Sequence, residues 1–532
     1  AVDDMDMRRI PCTGAVAVVS NHPFGGIEGV ALLERLKTIR PDVKAMANYM
    51  LSTISEMKDD FFAVDPFARP GAVKSNLRPL KECMQWLAGH VLIVFPAGEV
   101  AHFSCGAGCV RESEWKRNIG ELIGRSNAPV VPVWFKGRNS WLFNLAGLVH
   151  PMLRTMLLPR EFANKRGSVI SMSVGNLVTA VELQEYRTPK GRIADYLRFR
   201  AELLNFRDSR AKEGGEAPDA ARFDDIIAAA DPGEISAEID SLPEDTKMAE
   251  SATEIVYAVR AGQIPMTMRE IGRLREIAFR AAGEGSGRGL DIDAFDEYYV
   301  HLVLWNKKSR MVTGGYRMGM VDEITASRGV RGLYTSTLFE YRRRLRSDLS
   351  DAIELGRSFV RTEYQRSATS LFMLWKGIAG YIAANPRYRR LIGPVSISAV
   401  YSPAAKSLMA MVLLQRSKGI VAGMLRPRNR FRPMPDMARF VRANAGFLND
   451  DAVFDKAVRE LDYDGRGLPV LFRQYLKLNG VFLAFNVDVD FSSVVDGFVV
   501  VDMMKIEPKT LRRYMGDVSA DAYRLMHQSK HG

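Results

Sequence analysis

Two α/β domains are predicted for this chain, and three observations predict them. Strand-like apolar runs alternate with helically patterned stretches from residue 10 to 180. A segment rich in Asp, Glu, Ala, Gly and Pro, Arg207 to Ser251, then breaks that rhythm. From Glu254 onward strands and helices follow in a mixed α+β order. At 532 residues the chain is also too long for a single core. We therefore expect a first domain over 1–206 with a largely parallel sheet, an acidic connector with helical pieces over 207–251, and a second domain over 252–532.

In the first domain Ala15–Val19, His90–Phe95, Val130–Phe135 and Val169–Val174 read as strands. Ile27–Thr38, Leu77–Ala88 and Glu112–Arg125 read as helices. Ser140–Leu158 is unusually apolar but carries Asn144, His150, Pro151 and Arg154. It is expected to lie in a membrane interface, to line a lipid channel, or to form an ordinary buried helix pair. In the second domain Glu254–Val259 reads as a strand and Met268–Ala281 as a helix. Tyr298–Trp305 and Arg310–Arg317 read as an antiparallel pair, and Ile353–Val360, Gly393–Ala399 and Asp496–Asp502 as further strands. Ser370–Ala384, Ser402–Leu413 and Pro469–Leu478 read as helices.

Apolar residues make up 47% and charged residues 26%, a globular balance. The net charge of +12 suits an anionic partner: a membrane surface, an acidic carrier or nucleic acid. The basic run Arg426–Arg432 is without any recognised nucleic-acid motif, so no nucleic-acid partner is expected. Four cysteines, Cys12, Cys83, Cys105 and Cys109, form no disulfide framework and suit a reducing compartment. No secretory leader pattern and no apolar run long enough to span a bilayer occur, and the opening on Ala1 leaves room for upstream sequence. No metal is expected. Cys105, Cys109 and His102 fall short of a site, and Asp291–His301 lacks the glycine and distal glutamate of a calcium loop.

The stretch Ser20–Gly29, SNHPFGGIEG, carries the first candidate chemistry. Pro23 and the two glycines after Phe24 stop the strand sharply. His22 is left at a strand end with Glu28 six residues on, and an imidazole beside a carboxylate is a candidate general base. Three further blocks follow: Val64–Phe67, then Phe95-Pro96-Ala97-Gly98-Glu99, then Pro129-Val130-Val131-Pro132-Val133. Together the four resemble the glycerolipid acyltransferase family, which has an Asn-His-x4-Asp block, a Phe-Pro-Glu-Gly block and a late Val-Pro-Val block in this order. The acid here is one residue later, Glu28, with Ile27 in the family position, and the Phe-Pro block carries its carboxylate at Glu99. The resemblance implies that His22 deprotonates an acceptor hydroxyl and Glu28 orients His22. Asn21, Phe95, Pro96, Gly98 and Glu99 would help hold the acceptor. The glycine turn is a candidate source of N–H donors for the oxyanion.

In the second domain Arg275 and Phe279 share one helical face, Asp293, Asp296 and His301 follow, and Arg317, Glu354 and Arg357 occupy strands. In a regular strand Glu354 and Arg357 would face opposite ways unless a bulge intervened near Gly356. This set resembles the N-acyltransferases of the GNAT superfamily, in particular the hemolysin-labelled ornithine-acyltransferase branch and more distantly the acyl-homoserine-lactone synthases. The resemblance implies an amine nucleophile deprotonated by Glu354, or by Asp296 in second place. Arg275, Phe279, Asp293, His301, Arg317 and Arg357 would serve substrate binding.

The two resemblances together imply a bifunctional aminolipid synthase that makes, most simply, ornithine lipid. A 3-hydroxyacyl chain from acyl carrier protein is joined to the amino acid, and the new hydroxyl is then O-acylated. No bound cofactor is implied. The implied partners are acyl carrier protein, lyso-aminolipid and the membrane surface, with a peripheral place on the cytoplasmic face of a bacterial inner membrane. The alternatives the sequence leaves open are a phospholipid acyltransferase with a regulatory second domain and a non-enzymatic haemolytic protein.

Overall fold

The computed structural model describes residues 4–48, 58–64, 72–104, 106, 108–187, 192–207, 223–342, 349–365, 368–417 and 425–529. Asp65–Phe67, Cys105 and residues 208–222 of the expected connector lie outside them. The chain divides into two units, Ala1–Glu213 and Gly214–Gly532.

The first unit is built on strands β1 (Val16–Ser20), β2 (Val43–Asn48), β3 (Phe61–Val64), β4 (Val91–Val94), β7 (Val130–Lys136) and β8 (Ser171–Val174). A small hairpin of β5 (His102–Ser104) and β6 (Cys109–Arg111) stands apart. The sheet order is β3-β2-β4-β1-β7-β8. All its pairs are parallel except β7 with β8, so the sheet is largely parallel, as expected. β1 is central and every residue of it is buried, which is why it reads as an unbroken apolar run. Val16 and Val18 meet Leu32, Leu33 and Leu36 of the helix Ile27–Lys37. Fully burying a side chain of this size contributes about 1.5–3 kcal/mol. The strand ends at Ser20, so its carboxyl end delivers Asn21 and His22 to the top of the sheet, where open α/β sheets bind ligands.

The second unit holds an eight-stranded sheet. Its strands are β9 (Lys247–Glu250), β10 (Glu254–Arg260), β11 (Val300–Asn306), β12 (Met311–Met320), β14 (Ala352–Val360), β15 (Arg390–Ile397), β17 (Val481–Asp488) and β18 (Val494–Asp502). Two short strands, β13 (Phe339–Tyr341) and β16 (Leu425–Pro427), pair separately. The order is β17-β18-β15-β14-β12-β11-β10-β9. Every pair is antiparallel except β14 with β15. That parallel pairing stops at Glu354↔Ile392, although β14 continues to Val360 and β15 to Ile397. The two strands therefore splay beyond Glu354. A register shift between Gly315 and Arg317 sets Gly315 opposite Phe359 and Arg317 opposite Gly356, so β14 carries one extra residue. Arg357 sits in that bulge with φ +50°.

The acidic stretch read as a connector is folded from residue 223 onward. Asp231 caps the helix Pro232–Asp240, and Ile235 and Ile239 are buried in the core of the second unit. Ser140–Leu158 resolves into two helices, Trp141–Val149 and Pro151–Met156, followed by Leu158–Asn164. Among the described residues no helix is long and apolar enough to cross a membrane.

Candidate active sites

The first site forms where β1 ends. The turn after His22 brings Gly25 to φ +93°, and a side chain there would meet Leu158 and Val100 at under 3 Å, so both the backbone and the space require glycine. The turn feeds straight into the helix Ile27–Lys37, whose first turn carries Glu28. Glu28 is wholly buried and accepts from the N–H groups of Phe24 at 2.8 Å, Gly25 at 2.9 Å and Gly26 at 3.1 Å. Its Oε1 lies 2.9 Å from His22 Nδ1. Burial alone would raise this carboxyl. The His22 imidazole and the turn N–H groups outweigh it and bring it down to about 2. Burial works against charge on His22 in the same way, yet Glu28 and then Glu112 raise it above its ordinary value.

Glu112 is a partner the sequence reading missed. It is buried, accepts from the His22 backbone N–H, and accepts from Trp115 Nε1 at 2.8 Å. Burial pushes its carboxyl up to about 7. In the sequence it stands in Glu112-Ser113-Glu114-Trp115, and nothing local sets Glu112 apart from Glu114.

The other first-domain residues separate. Phe95 packs on the His22 ring, centroids 4.7 Å apart, and so belongs to the site. Pro96 is buried, and its carbonyl accepts from Lys116 N–H. Gly98 takes φ +71° in a turn closed by its N–H on Phe95 O at 3.0 Å, so both shape the loop. Glu99 is partly exposed, accepts from Ser113, and pairs with Arg154 at 3.1 Å. Asn21 is corrected from a substrate ligand to a structural clamp. Its amide both donates to Phe135 O at 2.9 Å and accepts from Phe135 N–H at 2.7 Å, tying β1 to β7. The glycine turn is likewise corrected as an oxyanion donor, because Glu28 already takes the Gly25 and Gly26 N–H groups.

The second site lies where β11, β12 and β14 meet the helix Pro265–Ala282. Arg275, buried on that helix, donates to Asp296 at 2.8 Å and approaches His301 Nδ1 at 3.4 Å. His301 Nε2 donates to the Asp296 carbonyl at 2.9 Å, which leaves Nδ1 as the acceptor. Burial and then the Arg275 cation hold His301 down to about 4, so it is neutral here. Asp296 also faces Arg317 at 3.2 Å. Burial would raise Asp296, but Arg275 and Arg317 hold it well below the usual carboxylate range. Asp293 bridges Arg317 and Arg357, the latter at 3.3 Å. Arg357 pairs with Asp291 at 2.9 Å and donates to Tyr334 OH at 3.0 Å. Arg317 is buried among the rings of Phe295, Tyr299 and Tyr334, and its Nε and Nη2 find no hydrogen-bond partner among the described residues.

The bulge brings Glu354 and Arg357 onto one constellation through Tyr334, whose N–H donates to Glu354 and whose hydroxyl accepts from Arg357. Glu354 also accepts from Thr335 N–H at 2.8 Å, from the Thr335 hydroxyl and from the Tyr299 hydroxyl. All its acceptor directions are taken, which does not suit a free base. Asp296, with two arginines and the Asp293 N–H, is spent in the same way. Phe279 meets Phe491 edge-on at 5.6 Å and walls the site.

Two family models match in separate places: an acyltransferase model over residues 3–208, and an acetyltransferase (GNAT) domain model over 274–376. The chain is 30% identical over 249 residues to a glycine N(alpha)-acyltransferase of Phocaeicola vulgatus, covering 44% of this chain and 75% of that protein. The chain belongs to the acyltransferases. A protein of the same name from Bacteroides thetaiotaomicron is 28% identical over 282 residues, covering 50% of this chain and 82% of its own. A lyso-glycine lipid O-acyltransferase of Phocaeicola vulgatus is 25% identical over 195 residues, covering 35% of this chain and 68% of its own. This two-domain acyltransferase therefore carries one acyltransferase family in each unit.

Proposed function

We propose that the chain makes a di-acylated aminolipid in two steps. The second unit transfers a 3-hydroxyacyl group from acyl carrier protein to the amine of an amino acid. The first unit then acylates the new hydroxyl. The observation that carries this reading is the His22–Glu28 pair at a strand end, in a chain whose other half has GNAT character. Relatives named for N-acyl transfer to glycine and for O-acyl transfer to a lyso-glycine lipid support the pairing of reactions.

In the first unit His22 removes the acceptor hydroxyl proton as oxygen attacks the thioester carbonyl. The tetrahedral intermediate expels the thiolate, which takes the proton back from His22. Glu28, held as an anion by three N–H groups, steadies the imidazolium between those events. In the second unit the splayed edges of β14 and β15 offer unpaired backbone to the amide-bearing arm that presents an acyl thioester. Glu354 and Asp296 serve as positioning residues, not as the bases expected from the sequence. Exposed Arg426, Arg430 and Arg432 suit an acidic carrier.

Ornithine is the proposed amino acid. Its second ammonium suits the surplus of carboxylate at Asp488 and Asp496, both buried, where the charge of Arg357, a cation already paired with Asp291 and Asp293, does not offset the burial that raises them. Glycine would leave that surplus unanswered.

The test is lipid analysis of a host lacking aminolipids after expression of the chain. Wild type should yield both mono- and di-acylated aminolipid. His22→Ala should accumulate the mono-acylated species, and Arg357→Ala should give neither. The absence of any new amine-containing lipid with wild type sinks the reading.

A further inference from the structure

The helices Trp141–Val149 and Pro151–Met156, with Leu158–Asn164 after them, carry apolar side chains on the wrong face for water. The inner face of the first helix is accounted for by Phe143, which is wholly buried. Trp141, Leu145, Leu148 and Val149 follow at i, i+4, i+7 and i+8, a helical stripe that points outward. Trp141 is 73% exposed, Val149 78% and, on the next helix, Met156 71%. Met152 and Phe162 extend the same exposed surface. A cluster of large apolar groups left in solvent marks an interaction site, not scattered surface hydrophobics.

The charges around it point to the occupant. Between residues 137 and 169 the single acid is Glu161, and it is buried, accepting from the Ser140 backbone N–H at 3.0 Å. Arg138, Arg160 and Arg166 are exposed at the rim. An apolar face bordered by Arg138, Arg160 and Arg166, with the exposed Glu99 already paired to Arg154, complements an anionic bilayer surface, and it repels a second copy of itself. An acidic carrier protein would match the rim, but not so wide an apolar centre.

The face is also joined to the His22 loop. Leu158 packs against Gly25, Asn139 donates to Phe24 O at 3.2 Å, and Arg154 pairs with Glu99 at 3.1 Å. We infer that these helices form a docking plate for an anionic lipid bilayer, through which a membrane-resident acceptor reaches His22. The plate follows from its own geometry and charge, while the acceptor's route rests on the proposed O-acyl transfer.

The test uses the full chain and co-sedimentation with phosphatidylglycerol–phosphatidylethanolamine vesicles, with phosphatidylcholine vesicles beside them. Wild type should bind the anionic vesicles, more weakly as salt rises, and should bind phosphatidylcholine poorly. The triple variant Trp141→Ser, Val149→Asp, Met156→Asp should bind roughly tenfold or more weakly. Its thermal unfolding should be unchanged, because the three side chains are exposed. A second variant, Arg138→Glu, Arg160→Glu, Arg166→Glu, leaves the apolar groups intact and should also bind weakly. Wild type that ignores anionic vesicles, or either variant binding like wild type, overturns the inference. Capture of acyl carrier protein by wild type that the apolar triple variant loses overturns it as well, by giving the face to the carrier. Aminolipid output is measured separately. Vesicle binding through this face without aminolipid upholds the plate and sinks the proposed function, whereas aminolipid made by a chain that ignores vesicles does the reverse.

Discussion

Glu28 Oε1 stands 2.9 Å from His22 Nδ1, on a carboxylate that three backbone N–H groups also hold. The carboxylate is thus an anion at any pH above about 2, and it raises the proton affinity of His22 above the ordinary imidazole value near 6.5. As a base His22 must be unprotonated, so O-acyl transfer should rise with pH through a midpoint above 6.5. Glu28→Gln removes the charge, so the acid limb should move to lower pH while the plateau falls by roughly a hundredfold. Initial rates with a soluble hydroxyl acceptor across pH check both parts. A plateau loss with no movement of the limb would refute the electrostatic role.

Glu112 makes an opposite prediction for stability. Its carboxyl is pushed up to about 7 by burial, from an unfolded value near 4.5. Between those two values the folded state holds more protons than the unfolded one, so stability falls as pH rises. The loss is on the order of 3 kcal/mol for this group. Glu112→Gln should flatten that slope, read from thermal unfolding of the first unit between pH 4.5 and 7. An unchanged slope would show that Glu112 does not carry it.

Arg275, Asp296 and Arg317 form a buried ionic cluster, and breaking such a cluster strands a charge. Asp296→Asn should destabilise the second unit by about 3–5 kcal/mol. The proposed His22-dependent O-acyl transfer should persist, because His22, Glu28 and Glu112 all lie in the unit Ala1–Glu213. Calorimetric melting paired with an O-acyl transfer assay distinguishes the two.

The architecture was legible where burial is continuous and obscured where it is not. β1 and β4 are buried throughout and stand out as apolar runs. β2 went unread because Lys44 and Asn48 interrupt it, although Val43, Ala45 and Met46 are buried. The helix Pro232–Asp240 was expected only as a helical piece of a connector, and its acidic outer face concealed that Ile235 and Ile239 anchor it in the second unit's core. Of the sites, residue identities were readable but saturation was not. Glu354 and Asp296 have the right chemistry for a base, and only the positions of Thr335, Tyr334, Arg275 and Arg317 reveal that their oxygens are occupied. Glu112 comes from a distant part of the chain, and no local spacing could have assigned it to His22.

Asp496 gives the sharpest test of the proposed amino acid. Burial, and then Asp488, push its carboxyl up to about 7, and Ser396 donates to it at 2.7 Å. Glu284 nearby is pushed up to about 8 by burial and by Asp496. Near neutral pH the cluster is therefore partly protonated. An ammonium entering it favours the charged carboxylates, so if the proposed amino acid, ornithine, binds there, its binding at pH 7 should release protons. Calorimetry in two buffers of different ionisation enthalpy measures that release directly. Asp496→Asn should abolish it and raise the KM for ornithine by roughly tenfold, with turnover at saturation much less affected. Glycine, which lacks the second ammonium, should show no proton release and little response to the substitution. If Asp496→Asn weakens both amino acids equally, the cluster shapes the fold and does not select the substrate.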